Sequence, residues 1–152
     1  MNVDDCINLD DLRILAKKRV PKLIYDFIEG GSEDEAGLVR NEDAFRQRAL
    51  VPRYMVDITT INQDTELFGR TYSSAYGIAP TGGISNYRHQ GDLMLARAAR
   101  DANIPFIMSG AATARMEDMA RECPDHGWYQ LYTAKDRSIS EDQVKRAQDL
   151  GI

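Results

Sequence analysis

Ile104-Pro105-Phe106-Ile107-Met108, followed further on by Trp128-Tyr129-Gln130-Leu131-Tyr132, decides how this chain folds. Each is a compact apolar or aromatic run of strand length. Between them Met116, Met119, Ala120 and Cys123 fall at i, i+3, i+4 and i+7, one face of a helix, with Thr113 placed to cap it. Upstream, Asp92 is placed to cap a helix carrying Leu93, Leu95, Ala96, Ala99 and Ala102 and ended by Asn103. Before that helix, Ala75 to Ala79 reads as a short strand stopped by Pro80. Downstream, Ser140 to Gln143 reads as a capping box for a helix with Val144, Ala147 and Leu150. Gly151 is its stop, and Ile152 falls where a further strand would begin.

The alternation of strand and helix from Ser73 onward predicts a parallel sheet with right-handed crossovers. Strand starts near 75, 104 and 128 match the roughly 30-residue βα unit of an eight-fold barrel. No Gly-x-Gly-x-x-Gly follows a strand, which sets aside the dinucleotide-binding alternative. A barrel of eight strands typically takes about 250 residues, and the 152 residues here hold three such units. The expected fold is therefore α/β, the amino-terminal portion of a (β/α)8 barrel preceded by short helices. It is read as one incomplete domain over 1–152, with a helical extension over 1–72 and the first three βα units over 73–152.

The extension has its own signals. Asn8 or Asp10 can cap a helix with Leu9, Leu12, Leu15 and Ala16 on one face and Lys17-Lys18-Arg19 at its negative end. Pro21 suits a first helical position, Leu23, Ile24, Phe27 and Ile28 share one side, and Gly30-Gly31 stops that helix. Ser32-Glu33-Asp34-Glu35 reads as a capping box for a helix running from Ala36 to Phe45. A small hairpin is expected between Thr65 and Thr71, around Phe68-Gly69-Arg70.

Composition narrows the function. The net charge of −5 without a Lys/Arg block argues against nucleic acid. No run approaches the roughly 18 apolar residues of a membrane span, and the acidic Met1-Asn2-Val3-Asp4-Asp5 is unlike a signal peptide. Two cysteines, Cys6 and Cys123, are too few for a disulfide scaffold or a zinc knuckle, and no metal site is expected. A reduced, cytoplasmic protein is the default.

In βα-barrels the site lies at the carboxyl ends of the strands. Those positions carry Pro80-Thr81-Gly82-Gly83, Ser109-Gly110 and Gln130-Leu131-Tyr132. Hydroxyls, an amide and glycines suit a flat, hydrogen-bonding heterocycle better than a metal, since an amide offers donor and acceptor together and glycine admits close approach. A structural role for each of these polar residues is the competing reading.

The motifs taken together resemble the FMN-dependent α-hydroxy acid dehydrogenases and oxidases. They are Val20-Pro21-Lys22-Leu23-Ile24-Tyr25-Asp26-Phe27-Ile28-Glu29-Gly30-Gly31-Ser32-Glu33-Asp34-Glu35, Ala79-Pro80-Thr81-Gly82, Gly91-Asp92 with Ala96-Arg97-Ala98-Ala99, Ile104 to Ser109, and Gln130-Leu131-Tyr132. The likeness runs from about Leu9 to Ile152 and is greatest to mandelate dehydrogenases, then to glycolate and lactate enzymes. It implies oxidation of a small L-2-hydroxy acid to the 2-oxo acid, the α-hydrogen leaving as hydride to flavin N5 while a histidine takes the hydroxyl proton. A quinone, a cytochrome or oxygen would be the electron acceptor, a homo-oligomer the working form, and the periphery of the inner membrane a possible location. By the same likeness Ala79, Pro80 and Thr81 would line FMN near N5, and Ser109 and Gln130 would hydrogen-bond its ring. Gly82 would lie between flavin and substrate, and Tyr132 would donate its hydroxyl to the substrate in the transition state.

Three departures accompany the likeness. Phe27 stands where the family usually has a substrate-binding tyrosine, a lost donor of about 1–3 kcal/mol. The loop Ile84 to Gln90 lacks the usual aromatic and proline, and Gly77 dilutes the first strand. The likeness also places the catalytic histidine, its arginine partners and the flavin lysine beyond Ile152, so the chain by itself is expected to be inactive. The alternative is a truncated, non-catalytic half-barrel or interaction module with an open sheet edge. His89 is expected to be a solvated loop residue and His126 structural. Cys123 belongs to an apolar stripe, and the Glu33-Asp34-Glu35 cluster to capping and solvation.

Overall fold

The computed structural model describes residues 2–152. They divide into two units, which meet between Thr59 and Thr60.

The first unit holds three helices, α1 (Leu9–Arg19), α2 (Lys22–Glu29) and α3 (Ala36–Arg46). Asn8 caps α1 by accepting the Asp11 N–H at 2.8 Å. Pro21 lies one position ahead of expectation, as the N-cap of α2, where its carbonyl accepts the Ile24 and Tyr25 N–H groups at 2.9 Å. Arg13 on α1 pairs with Glu29 at the end of α2 and holds that carboxyl below its usual range. The Ser32 capping box does not form. Glu35, at φ +61°, is the N-cap residue of α3, and its carboxylate turns back to accept the Gly31 N–H at 3.2 Å. The chain at Gly31 runs close to α3, where a Cβ would lie 2.9 Å from Leu38 Cγ.

The second unit begins with an antiparallel hairpin, β1 (Thr65–Leu67) and β2 (Arg70–Tyr72), with Thr65 opposite Tyr72. Phe68 and Gly69, at φ +50° and +77°, make the left-handed turn whose twist matches the paired strands. The hairpin falls in the second unit, which begins at Thr60. Asn103 Nδ2 donates to the Thr71 carbonyl at 3.3 Å, and Arg70 Nη2 lies 3.0 Å from His126 Nε2.

The parallel sheet follows. β3 (Phe106–Met108) pairs with β4 (Gly127–Tyr129), Phe106 opposite Gly127. The strand expected over 75–79 is reduced to one bridge, Ile78 beside Phe106 on the other edge of β3. Its ladder is short because Pro105 opposite it has no N–H to give, and Gly77 sits so close that a Cβ there would lie 2.8 Å from Pro105 Cγ. Three successive parallel positions thus appear in chain order, with no closed barrel among the described residues.

The helices α4 (Gly91–Asp101), α5 (Met116–Glu122) and α6 (Arg137–Asp149) follow the three positions in turn. Ala96 and Ala99 of α4 and Met116 and Met119 of α5 join Phe106, Met108, Cys123 and Ala147 in one core cluster. Three expected caps are replaced. Gln90, not Asp92, precedes α4; Arg115, not Thr113, precedes α5; Asp136, not Ser140, caps α6 by accepting the Ser138 N–H at 3.0 Å. In each case the expected capping side chain has a tertiary partner instead. Asp92 and Thr113 bond to each other, and the buried Ser140 hydroxyl accepts the Ala134 N–H at 2.9 Å.

His126 is structural, as expected. Its ring nitrogens lie 2.9 Å from the Pro124 carbonyl and 3.0 Å from Asn103 Oδ1, at the amino end of β4. Cys123 is buried in the core, and burial pushes its thiol up to about 11.

Candidate functional site

The residues after β3 and β4 meet at the carboxyl end of the sheet. Gln130 directly follows β4, and its backbone N–H donates to the Met108 carbonyl at 2.9 Å, which extends the ladder to the very end of β3. That register brings its side chain to Ser109. Ser109 Oγ donates to Gln130 Oε1 at 3.1 Å, and the Gly110 N–H donates to the same oxygen at 3.3 Å. The Ala111 N–H in turn donates to Ser109 Oγ at 3.1 Å. Ser109 is buried, and its side chain is fixed by both of these bonds. Both contacts to Gln130 fall on Oε1, so its amino group has no protein acceptor among the described residues.

Glycines shape the rest. At Gly110 a Cβ would lie 2.7 Å from the Gln130 carbonyl and 2.8 Å from Tyr132 Cδ2, so only glycine lets the two loops close on each other. At Gly82 a Cβ would meet Ala111 Cβ at 3.1 Å and Ser109 Oγ at 3.7 Å. The Gly83 N–H donates to the Ala111 carbonyl at 3.3 Å. Ser109, Gln130, Tyr132 and Gly82 are thereby gathered around Gly110 and Ala111, without a charged group bonded to them among the described residues.

Ala79, Pro80 and Thr81 run from the Ile78 bridge to Gly82. The N–H groups of Ala79, Thr81 and Gly82 make no backbone hydrogen bond among the described residues, which leaves donors at the mouth of the first strand position. Tyr132 is 60% exposed beyond the end of β4. Phe27 lies on α2 in the first unit and is 77% exposed. His89 is exposed, as expected of a loop residue. Among the described residues no group of three or more His, Cys, Asp or Glu could hold a metal ion.

Two contacts were not legible in the sequence. Gly110 reads as a strand-end glycine that admits close approach, but its contact with the Gln130 and Tyr132 loop was not legible. Asp92 and Thr113 read as caps, and only the tertiary contact gives them another role. Asp92 is 2% exposed and accepts from Thr113 Oγ1 at 3.2 Å.

Residues 16–152 match the FMN-dependent dehydrogenase family, and the chain belongs to it. It is 41% identical over 144 residues to (S)-mandelate dehydrogenase of Pseudomonas putida, covering 95% of this chain and 36% of that protein. It is 39% identical over 146 residues to a peroxisomal (S)-2-hydroxy-acid oxidase of Oryza sativa subsp. indica, covering 96% and 40%. Among solved structures it superposes on a soluble mutant of the membrane-associated (S)-mandelate dehydrogenase from Pseudomonas putida with a TM-score of 0.89 and 40% identity, covering 96% of this chain and 42% of that one. The chain thus spans about two fifths of the length of the relatives it matches, and its mixed helix-and-strand fold is consistent with part of a βα-barrel. No helix among the described residues is long and apolar enough to cross a membrane.

The residues present fit FMN. A flavin ring edge alternates donors and acceptors in one plane, and the unspent Gln130 amino group beside a fixed Ser109 hydroxyl supplies partners of that kind. The glycines at 82 and 110 let the loops that carry these partners close on one another.

Proposed function

We propose that these residues form the flavin- and substrate-facing wall of an enzyme that oxidises a small L-2-hydroxy acid, mandelate- or lactate-like, to the 2-oxo acid. In this reading residues 73–152 are the first three βα units of a (β/α)8 barrel and residues 1–72 an amino-terminal extension. The observation that carries it is the Ser109–Gln130 pair, held in hydrogen-bond register at the ends of adjacent parallel strands with an amide donor group left over. When bound, FMN supplies the acceptor for the substrate's α-hydrogen and its electron pair.

The chain's own residues bind and orient. Gln130 presents its amino group to the ring, and Ser109, fixed from two sides, holds the amide in that orientation. The backbone of Ala79, Pro80 and Thr81 lines the ring near its reactive nitrogen. Gly82 leaves room for substrate against the ring. Tyr132, free at the strand end, donates its hydroxyl to the carboxylate or to the oxygen on which charge develops. Neither histidine is placed as the base, because His126 is committed to the Pro124 carbonyl and Asn103, and His89 sits on an exposed loop. The reading extends to a quinone, a cytochrome or oxygen as electron acceptor and to a homo-oligomeric working form. It places the protein in the cytoplasm or at the inner-membrane periphery, supported by the membrane-associated relative.

A chimera tests this. Residues 9–152 are joined to the part of the Pseudomonas putida (S)-mandelate dehydrogenase that lies beyond its aligned segment. The expected product is yellow and bleaches a redox dye with (S)-mandelate or (S)-lactate. A chimera that is folded by circular dichroism yet colourless overturns the proposal. It would favour the second reading, a non-catalytic half-barrel that docks a partner on the open face lined by Tyr72, Pro105, Ile107 and Trp128.

A further inference from the structure

Asp92 is the one carboxylate buried among the described residues. A carboxylate out of water is costly unless it is hydrogen-bonded, and no cationic group reaches this one among the described residues. Its partner is Thr113 Oγ1, which comes from the loop after β3 and is also hydrogen-bonded to Ser85 Oγ. Ser85 lies just past the Gly82–Gly83 turn. Three segments therefore converge on one hydroxyl: the start of α4, the loop after the Ile78 bridge, and the loop after β3.

We propose that Asp92, Thr113 and Ser85 form a latch that fixes the Gly82–Gly83 turn against the Ser109–Ala111 loop. They are positioning residues for the wall described above. Two neighbouring contacts connect the latch to the site. The Gly83 N–H donates to the Ala111 carbonyl at 3.3 Å, and the Ala111 N–H donates to Ser109 Oγ, which itself bonds Gln130. Release of Thr113 thus reaches Ser109 along its own loop through Ala112 and Ala111, whose N–H groups donate to the Ser109 carbonyl and hydroxyl. The packing below is equally close, since a Cβ on Gly91 would lie 2.4 Å from Ile84 Cγ2. The loop is seated directly on the first residue of α4, and the latch locks it there. The consequence for flavin rests on the proposed FMN-dependent function; the consequence for the loops does not.

Amide hydrogen exchange of the 152-residue chain reads the latch without any flavin. Thr113→Val keeps the shape of the side chain and removes the hydroxyl. It is expected to speed exchange of the Gly83 and Ala111 amides about tenfold, the scale of one hydrogen bond to a charged group. Thr113→Ser restores the slow exchange. FMN titrated into the chimera described above carrying the same substitutions, followed by flavin fluorescence, is expected to bind about tenfold more weakly to Thr113→Val and normally to Thr113→Ser. If Thr113→Val does not fold, Ser85→Ala opens the outer half of the latch without stranding the carboxylate, and the same amides are read. Unchanged exchange at both amides overturns the latch, and faster exchange with unchanged FMN affinity overturns its positioning role. An unsubstituted chimera that takes up no FMN, while Thr113→Val still speeds exchange in the 152-residue chain, removes the proposed function and leaves the latch standing.

Discussion

At the scale of single residues, the two site glycines differ in what they tolerate. A Cβ at Gly110 meets backbone oxygen and a ring carbon below 3.0 Å, whereas at Gly82 it meets a methyl group at 3.1 Å that can shift by a few tenths of an ångström. Gly110→Ala is therefore expected to cost about 1–3 kcal/mol and Gly82→Ala under about 1, measured by urea unfolding with Trp128 fluorescence. Gln130→Ala strands the Ser109 hydroxyl and the Gly110 N–H and is expected to cost about 1–3 kcal/mol in the same assay. Cys123 makes a pH prediction. Burial raises its folded pKa to about 11, so the neutral thiol is the form the fold favours. Its contribution is intact below the unfolded value of about 8.5 and is lost as pH rises towards the folded one. Stability should decline above about pH 8.5, and Cys123→Ala should flatten that decline. The thiol should react with a disulfide reagent at pH 8 only once the chain is unfolded.

At the scale of elements, helix starts separate what is local from what is not. Asn8 and Asp136 bond within their own first turns, and Asn8→Ala should destabilise the chain by about 1 kcal/mol. The Ser138 hydroxyl and N–H hold the Asp136 carboxyl below its usual range. Because its folded value is the lower one, the cap is whole above the unfolded value of about 3.9 and is lost as pH falls through the folded value. Exchange of the Ser138 amide should therefore quicken below about pH 4, and Asp136→Asn should abolish that dependence. Asp92, Thr113, Ser32 and Ser140 fit the same sequence rule and failed as caps: Asp92 and Thr113 bond each other across the fold, Ser140 accepts the Ala134 N–H from within α6, and Ser32 gives way to Glu35 at the start of α3. The hairpin and the order of strands and helices after Ser73 were legible, since Phe68-Gly69 and the apolar periods are local signals. The contraction of the first strand to Ile78 was not, because it depends on Pro105 lying opposite.

For the whole molecule, the division at 59/60 has a mechanical consequence. Residues 47–64 are exposed throughout and belong to no helix or strand, so their backbone is open to a protease. Limited trypsin digestion should cut first at Arg48 or Arg53 and leave a resistant fragment that carries the parallel sheet, read by mass spectrometry. First cuts within α4 or α5 would contradict the division. The face lined by Tyr72, Pro105, Ile107 and Trp128 lies open beside the sheet, and the chain spans about two fifths of its relatives' length. Further strands would cover that face in the proposed barrel.

By itself the sequence determined the family motifs, the alternation of strand and helix, and the candidate site residues at strand ends. Each of these is written in neighbouring residues or in a fixed period. Tertiary structure decided which polar side chains were spent. It turned Asp92 and Thr113 from caps into a buried contact, committed His126 to Pro124 and Asn103, and set Ser109 against Gln130 with an amino group to spare. The reason is physical: a buried hydroxyl or carboxylate bonds to the partner that packing brings nearest, and that partner is distant in sequence.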